Sequence, residues 1–488
     1  MNLADLLLDT PDNSPALVTP TVRWTRADLT AAADRVAGAV GDATQPDDRV
    51  AILADNDEHF IVAYLGILRA GRVAVPLNPT APRAELEGGI AAVGVALVIV
   101  GPGQHSPAAA IPSLTTTAAL DHAPITASAE RQANDLAVLL FTSGTAGMPK
   151  AAMLTHGNLI ANIEQVQSAP GLKYVEADVG LGVLPFFHVF GLNVVLGLSL
   201  SARATLVCLP HFHRDESIAA IAQHKVTVIA AVPAIYHAWF DSSASASDFA
   251  SVRLAVSGAA ALGVETIAAL QERFDLRVHE GYGLTEAAPI VTTTAVEAAV
   301  RPGSIGPALP GVEVRLVDRD GDDVLAGDPG EVWVRGPNVF AGYWNDPDQT
   351  ARVLVDGWLR TGDIAVADDD GWLTLVDRAK DLIIVSGFNV YPGEVEEALV
   401  AHDDVVQAAV VGEPDPRSGE RVVAFVVPRD GASPTATILT AHLRRRVARY
   451  KIPQRFEIVD ELPQTFAGKV LRRALRDSLR ADPMQRPA

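Results

Sequence analysis

The sequence predicts an α/β protein, with a large N-terminal domain of αβ-layered sheets, a small β-rich subdomain, and a small α+β C-terminal domain. Three observations carry this. Short strand-like and helix-like stretches alternate from Asp48 to Val100 and again from Glu216 to His279. Past Pro302 the texture changes to paired apolar runs around Gly/Asp loops. The last hundred or so residues then mix helices and strands as a unit of their own. For 488 residues, two or three units are the prior. The reading places the large domain at residues 1–379, its β-rich part at about 302–376, and the small domain at 380–488.

In order along the chain, Arg49–Leu53, Val73–Leu77 and Ala96–Val100 read as strands, alternating with helices over Glu58–Ala70 and Pro82–Ala92. Residues 101–135, rich in Ala, Pro, Ser and Thr, read as irregular connection. The apolar run Leu136–Leu140 is a buried strand, and Thr155 is the N-cap of the helix that follows. Helices over Glu216–His224, Pro233–Phe240 and Gly263–Phe274 then alternate with strands over Val226–Ala231, Val252–Val256 and Arg277–His279. Strands follow at Val312–Val317, Glu331–Arg335 and twice within Trp358–Val376. Asp318, Asp320 and Asp322 fit a solvated hairpin turn better than a calcium loop, because Pro329 stands where the closing Glu belongs. In the last unit Asp381–Val390 reads as a hairpin, Pro392–His402 as a helix, and Val405–Val411 and Val422–Val427 as strands. Thr437–Arg449 reads as a basic helix containing Arg444, Arg445, Arg446 and Arg449.

Composition narrows the function. A hydrophobic share of 49% excludes wholesale disorder. A net charge of −20 argues against a nucleic-acid partner, so a phosphate-bearing ligand must be met by locally placed Lys and Arg. The one cysteine, Cys208, leaves neither an intramolecular disulfide nor a Cys-built metal site; it reads as a structural thiol in a buried strand. The start, Met1-Asn2-Leu3-Ala4-Asp5, lacks the basic region of a signal peptide, and the longest apolar runs are too short or too polar for a transmembrane segment. A cytoplasmic location is expected.

The chemistry begins at Phe141-Thr142-Ser143-Gly144-Thr145-Ala146-Gly147-Met148-Pro149-Lys150. Glycines that admit backbone N–H groups, hydroxyls that donate, and one cation, all on a loop after a strand, suit a polyphosphate. Pro149 and Ala151 depart from the P-loop NTPase pattern, and a plain surface turn fits the loop alone equally well. Four further stretches join it. Gly281-Tyr282-Gly283-Leu284-Thr285-Glu286 offers an aromatic face, a hydroxyl and a carboxylate able to hold Mg²⁺. Trp358-Leu359-Arg360-Thr361-Gly362-Asp363 sets an acid at a turn, where it can accept two ribose hydroxyls. Asp377-Arg378-Ala379-Lys380-Asp381 leads into Ser386-Gly387-Phe388, and Gly468-Lys469 stands near the end. Singly, each has a dull reading: Glu286 as a helix-start acid, Asp363 as a turn residue, Lys469 as a surface cation.

Together and in this order the five stretches resemble the adenylate-forming superfamily of acyl-CoA synthetases, peptide-synthetase adenylation domains and luciferases, across essentially the whole chain. The resemblance implies an ATP-binding site in which Thr142, Ser143, Gly144, Thr145, Gly147 and Lys150 hold phosphates. Gly258, Ala259, Ala260 and Tyr282 would frame adenine, and Asp363 and Arg378 would bind ribose. Thr285 and Glu286 would hold phosphate and Mg²⁺, and Lys469 would bridge the carboxylate and the α-phosphate. It also implies a hinge at about 377–381 centred on Lys380, with a mobile C-terminal domain, and coenzyme A contacts at Ser386, Gly387 and Phe388. His188, in Leu184-Pro185-Phe186-Phe187-His188-Val189-Phe190-Gly191, would act in catalysis as a gate, and Phe187, His188, Val189, Val232 and Gly283 would line the acyl pocket. Ala151, where the family often has Gly, departs without removing a ligand.

The reaction so implied activates a small-molecule carboxylic acid as an acyl-adenylate, releasing pyrophosphate, and then transfers it to coenzyme A, releasing AMP. Two anions must meet in the first step, which is why cations are needed there. No G-x-S-x-G nucleophile elbow is present, and none is required. The apolar run around His188 suits a medium- to long-chain fatty acid, with aryl acids second; His188 and Arg301 keep a small dicarboxylate open. A fatty acyl-AMP ligase that loads a carrier protein is the other reading of the acceptor, but residues 377–392 lack the insertion typical of that group. Amino-acid adenylation fits less well, since Phe190–Leu200 carries no acid. A non-catalytic nucleotide-binding relative is disfavoured by the presence of Lys469, Glu286 and Asp363.

Overall fold

The computed structural model describes residues 1–142, 150–296, 301–318, 320–378, 381, 383–385, 388–415, 419–447, 449–464 and 470–480. It divides into two compact units, one of residues 1–314 and 334–359, the other of 315–333 and 360–488.

The first unit contains two sheets. In the six-stranded sheet, Ser113–Thr115, Val95–Val100, Arg49–Leu53, Val73–Pro76 and Leu136–Thr142 lie side by side and parallel. The antiparallel strand Lys150–Thr155 closes its edge. Central parallel strands are covered on both faces, so Val95–Val100 is apolar throughout and almost wholly buried. The helix Glu58–Arg69 that crosses from one strand to the next is started by Asp57, whose side chain accepts from the amides of His59 and Phe60. Gly71, at φ 69°, lets the chain turn back after it.

The eight-stranded sheet runs Ile290–Thr293, Val278–Gly283, Leu254–Ser257, Val228–Ala231, Val179–Gly182, Thr205–Cys208, Pro15–Val18, Arg23–Thr25. Its pairs are parallel except at the two edges. Cys208 is buried in its strand, and burial together with the charges of Asp57 and Glu58 pushes its thiol pKa up, which fits a structural role. Two features depart from the sequence reading. Residues 101–135 are not wholly irregular but contain the strand Ser113–Thr115 and the helix Thr116–Leu120. The N-terminal strand Pro15–Val18 sits beside Thr205–Cys208, nearly two hundred residues away, a pairing that no local pattern announces.

A five-stranded sheet over 313–378 forms the β-rich part, and the division between the units cuts across its strands Glu313–Val317, Gly330–Arg335 and Trp358–Ala367. Asp318 accepts from the amides of Asp320 and Asp322, the geometry of a tight turn. In the second unit, Ile383–Val385 and Phe388–Val390 form the predicted hairpin beside Gly419–Pro428, Val405–Asp415 and Arg455–Ile458. Alternate residues face opposite cores: Val410, Val422, Ala424 and Val426 pack on one side, Ala409, Val411, Val423 and Phe425 on the other. The basic helix is shorter than predicted, Ala436–Leu443. Arg444–Arg446 fall in the turn beyond it, because the chain must reverse there to seat Val447, Tyr450 and Ile452 against the core.

Candidate active site

The strands Val278–Gly283, Leu254–Ser257, Val228–Ala231 and Val179–Gly182 are adjacent and parallel, so their carboxyl ends open on one edge. Four of the sequence stretches leave the sheet at that edge: Tyr282-Gly283, Gly258-Ala259-Ala260, Val232, and Val183 to His188. In open α/β sheets this edge is where ligands bind. A Cβ on Gly258 would sit 3.1 Å from the Phe190 ring, so a side chain there would need that ring to give by a few tenths of an ångström. Ala259 adopts φ 70°, a left-handed conformation costing about 1 kcal/mol for a residue with a side chain. Tyr282 and Val232 are buried. Gly283 is open on one side, while a Cβ on it would lie 2.1 Å from the Pro289 carbonyl oxygen. Its backbone therefore packs under the turn that follows.

That turn carries Thr285 and Glu286 in one short helical turn, and buried amide side chains grip the residues after them. Asn338 Nδ2 donates to the Ala287 carbonyl at 2.8 Å, and Asn193 Nδ2 donates to the Ala288 carbonyl at 2.8 Å and to Leu159 at 3.2 Å. Asn162 both donates to the Ile290 carbonyl and accepts from its amide, at 2.8 and 3.1 Å. The helix His156–Ser168 delivers Asn162 and Gln165 on one face, and Thr155 starts it with a capping box closed by Asn158. The Thr155 N-cap is as the sequence reading had it. The amides on its inner face carried no signal, because polar residues at helical spacing read as a solvated face.

Glu286 meets Lys150 through a residue the sequence reading missed. Tyr343 Oη donates to Glu286 Oε1 at 2.7 Å, and Lys150 Nζ lies 5.3 Å from the centre of the same ring. Tyr343 reaches this place because residues 341–344 run along the strand Lys150–Thr155: the amides of Ala341 and Trp344 donate to Met153 and Ala151, and Met153 donates to Gly342. Burial, then the charge of Glu286, pushes the phenol pKa up, so Tyr343 stays a hydrogen-bond donor at any physiological pH. The one available cue, aromatic residues on both sides of Gly342, is too common to point to a site. Thr142 and Lys150 pair across the hairpin, with Thr142 Oγ1 3.4 Å from the Lys150 carbonyl. Ser143, Gly144, Thr145 and Gly147, between them, lie outside the described residues.

The stretch Phe187-His188-Val189 follows a turn in which the His188 amide donates to the Pro185 carbonyl at 3.1 Å, and it leads into a π-helix over Phe190–Gly197. Wide helical turns of this kind often mark functional sites. The His188 and Phe187 rings lie 4.6 Å apart. His188 is solvent-exposed, yet desolvation by the protein around it lowers its pKa, which favours the neutral imidazole. Phe186, in contrast, is fully buried and belongs to the core.

In the second unit, Asp363 is buried in its strand, its amide donating to Thr361 Oγ1 at 3.1 Å. In the antiparallel pairing it stands opposite Arg378, so the two residues assigned to ribose share one register position. Only the backbone of Arg378 and of Phe388 is described, and Lys380, Ser386, Gly387 and Lys469 lie outside the described residues. Asp381, next to the residue the sequence reading assigned to a hinge, accepts from Arg476 Nη2 at 2.6 Å and lies 4.0 Å from Arg472. Glu396 pairs with Arg472 at 2.7 Å, and Glu394 pairs with Lys451.

The described residues contain no group of three or more His, Cys, Asp and Glu side chains able to hold a metal. They contain no helix long and apolar enough to cross a membrane.

The sequence model described as AMP-binding enzyme matches residues 7–344, and that described as AMP-binding enzyme C-terminal domain matches 394–469. A long-chain-fatty-acid–CoA ligase of Yersinia pestis is 37% identical over 488 aligned positions, covering 89% of this chain and 85% of that one. A feruloyl-CoA synthase of an Amycolatopsis species is 36% identical, covering 88% and 89%. Among solved structures, ATP-bound MatB from Rhodopseudomonas palustris superposes with a TM-score of 0.93 at 34% identity, covering 98% of each chain.

Proposed function

We propose that this chain, which belongs to the family of AMP-binding enzymes, is an ATP-dependent acyl-CoA synthetase that joins a medium- to long-chain fatty acid to coenzyme A. The observation that carries the reading within the fold is the meeting of Lys150 and Glu286 on Tyr343. It sets a cation and a carboxylate from distant motifs beside the strand ends that carry Gly258 and Tyr282.

In the first half-reaction a carboxylate oxygen of the acid attacks the α-phosphorus of ATP, the bond to the bridging oxygen breaks, and pyrophosphate leaves. In the second, the thiol sulfur of coenzyme A attacks the acyl carbon and AMP leaves. In this reading Gly258, Ala259, Ala260 and Tyr282 seat the adenine, and Asp363 and Arg378 hold the ribose. The loop from Thr142 to Lys150 takes the outer phosphates, with Thr285 donating to a phosphate oxygen. Lys469 supplies the positive charge between carboxylate and α-phosphate. Glu286, with Tyr343 on one oxygen and no cluster of acids around it among the described residues, would suit an Mg²⁺ whose other ligands come from phosphate and water. Bound there, the ion offsets repulsion between the two anions. Phe187, His188, Val189, Val232 and the exposed side of Gly283 bound the acid. The neutral imidazole of His188 imposes no charge on an aliphatic tail.

We also assign Ser386, Gly387 and Phe388 to coenzyme A and the hinge to Lys380, which makes 380–488 the mobile domain and 1–379 the fixed one. ATP and coenzyme A as co-substrates, and a single unpaired cysteine, support a cytoplasmic location. A second reading has a specific support: the similarity to a feruloyl-CoA synthase favours an aryl acid as runner-up.

Saturated acids of increasing length, assayed for pyrophosphate, AMP and acyl-CoA together, test the reading. The expected outcome is kcat/KM rising with length by about 0.8 kcal/mol per buried CH₂ until the pocket ends. A preference for an aromatic acid or malonate overturns the fatty-acid assignment. Acyl-adenylate without acyl-CoA points to a carrier-protein acceptor.

A further inference from the structure

We infer that Asn56 is a positioning residue for acid selection, fixing the segment that carries Phe187, His188 and Val189. Asn56 lies just beyond the strand Arg49–Leu53 of the six-stranded sheet, whereas residues 184–188 follow the strand Val179–Gly182 of the eight-stranded one. Its Nδ2 donates to the Leu184 carbonyl at 2.5 Å, and its Oδ1 accepts from the Phe186 amide at 2.8 Å. One side chain thus grips both sides of Pro185, as a neighbouring strand would.

Asn56 is buried, so losing either partner leaves a polar group unsatisfied away from water. A primary amide offers a donor and an acceptor side by side, which neither Asp nor Ser can match at both contacts. Pro185 itself has no N–H. The segment has little slack beyond the grip. Phe186 is buried with its ring 5.5 Å from that of Phe60. A Cβ on Gly191 would lie 2.2 Å from the Pro185 carbonyl oxygen, so the chain there is folded tightly back on itself. The His188 amide donates to that same Pro185 carbonyl. Releasing Leu184 and Phe186 therefore frees the turn on which the Phe187 and His188 rings are set.

The inference rests on the reading that residues 187–189 face the acid, and the experiment separates the two. Full-length Asn56→Asp and Asn56→Ser are assayed with a series of saturated acids at saturating ATP and coenzyme A, beside Phe187→Ala and with a thermal melt of each. For the Asn56 variants, kcat/KM for the best acid should fall about tenfold or more, mainly through KM for the acid, with KM for ATP within about twofold of normal. The dependence on chain length should flatten. Phe187→Ala should move the same profile. Equal losses toward ATP and every acid, or a normal acid profile in the Asn56 variants while Phe187→Ala changes it, overturn the inference. A silent Phe187→Ala overturns the pocket reading instead. The Ser variant, which keeps a hydroxyl at the contact, carries the comparison if the Asp variant does not fold.

Discussion

The turn after Glu286 and the segment around Asp381 are held in opposite ways. Asn338, Asn193 and Asn162 fasten the first with neutral amides, 0%, 3% and 1% exposed, each bonded to backbone. The second is fastened by ion pairs, Asp381 with Arg476, Glu396 with Arg472 and Glu394 with Lys451, most of whose members are partly solvated. A buried amide bonded to backbone cannot let go without orphaning both partners, which costs about 1–3 kcal/mol. A partly solvated ion pair exchanges its partner for water at a net cost of roughly 1 kcal/mol or less. The neutral fastening also adds no charge where phosphates are proposed to bind. A rigid fastening suits the proposed phosphate and Mg²⁺ residues beside the turn, and an exchangeable one suits a segment proposed to present different faces in two half-reactions.

The sharpest way to break this contrast is Lys380→Pro. Proline fixes φ near −65° and removes an N–H, so it should trap one pose of the small domain. Pyrophosphate exchange should persist, while acyl-CoA formation should fall by roughly 10²-fold or more, since a misplaced group forfeits most of its positioning. Near-normal rates for both steps would falsify the two-pose mechanism.

A smaller effect is expected from Asn338→Ala, which strands the Ala287 carbonyl and takes from Gln165 Nε2 one of its two acceptors, leaving the Gly311 carbonyl at 3.3 Å. Stability should drop by about 2 kcal/mol, read as a lower urea midpoint. A loss below about 0.5 kcal/mol would show that the turn does not depend on buried amides. The smallest effect should come from Glu394→Gln, which removes one charge of the pair with Lys451. The expected cost is under about 1 kcal/mol and should vanish at high salt; a larger, salt-independent cost would make the second fastening as rigid as the first.

Much of the first unit was legible because strand and helix periods write burial directly into the sequence. Val95–Val100 and Val228–Ala231 could be little else than buried parallel strands, and Tyr282 to Glu286 follow from the strand that begins near Val278. The order of the five stretches from Thr142 to Lys469 was sufficient for the family and the reaction. It also put Thr155 at a helix start. What the tertiary structure alone decided are meetings across long separations: Tyr343 between Lys150 and Glu286, the asparagines on the turn after Glu286, Asn56 on the chain before Phe187, and Pro15–Val18 beside Thr205–Cys208. The physical reason is common to all. Periodicity reports which way a side chain faces within its own element, whereas a hydrogen bond between distant residues depends on how whole sheets and helices come to rest against one another. An Asn or a Tyr looks the same in sequence whether it faces water or holds a site together.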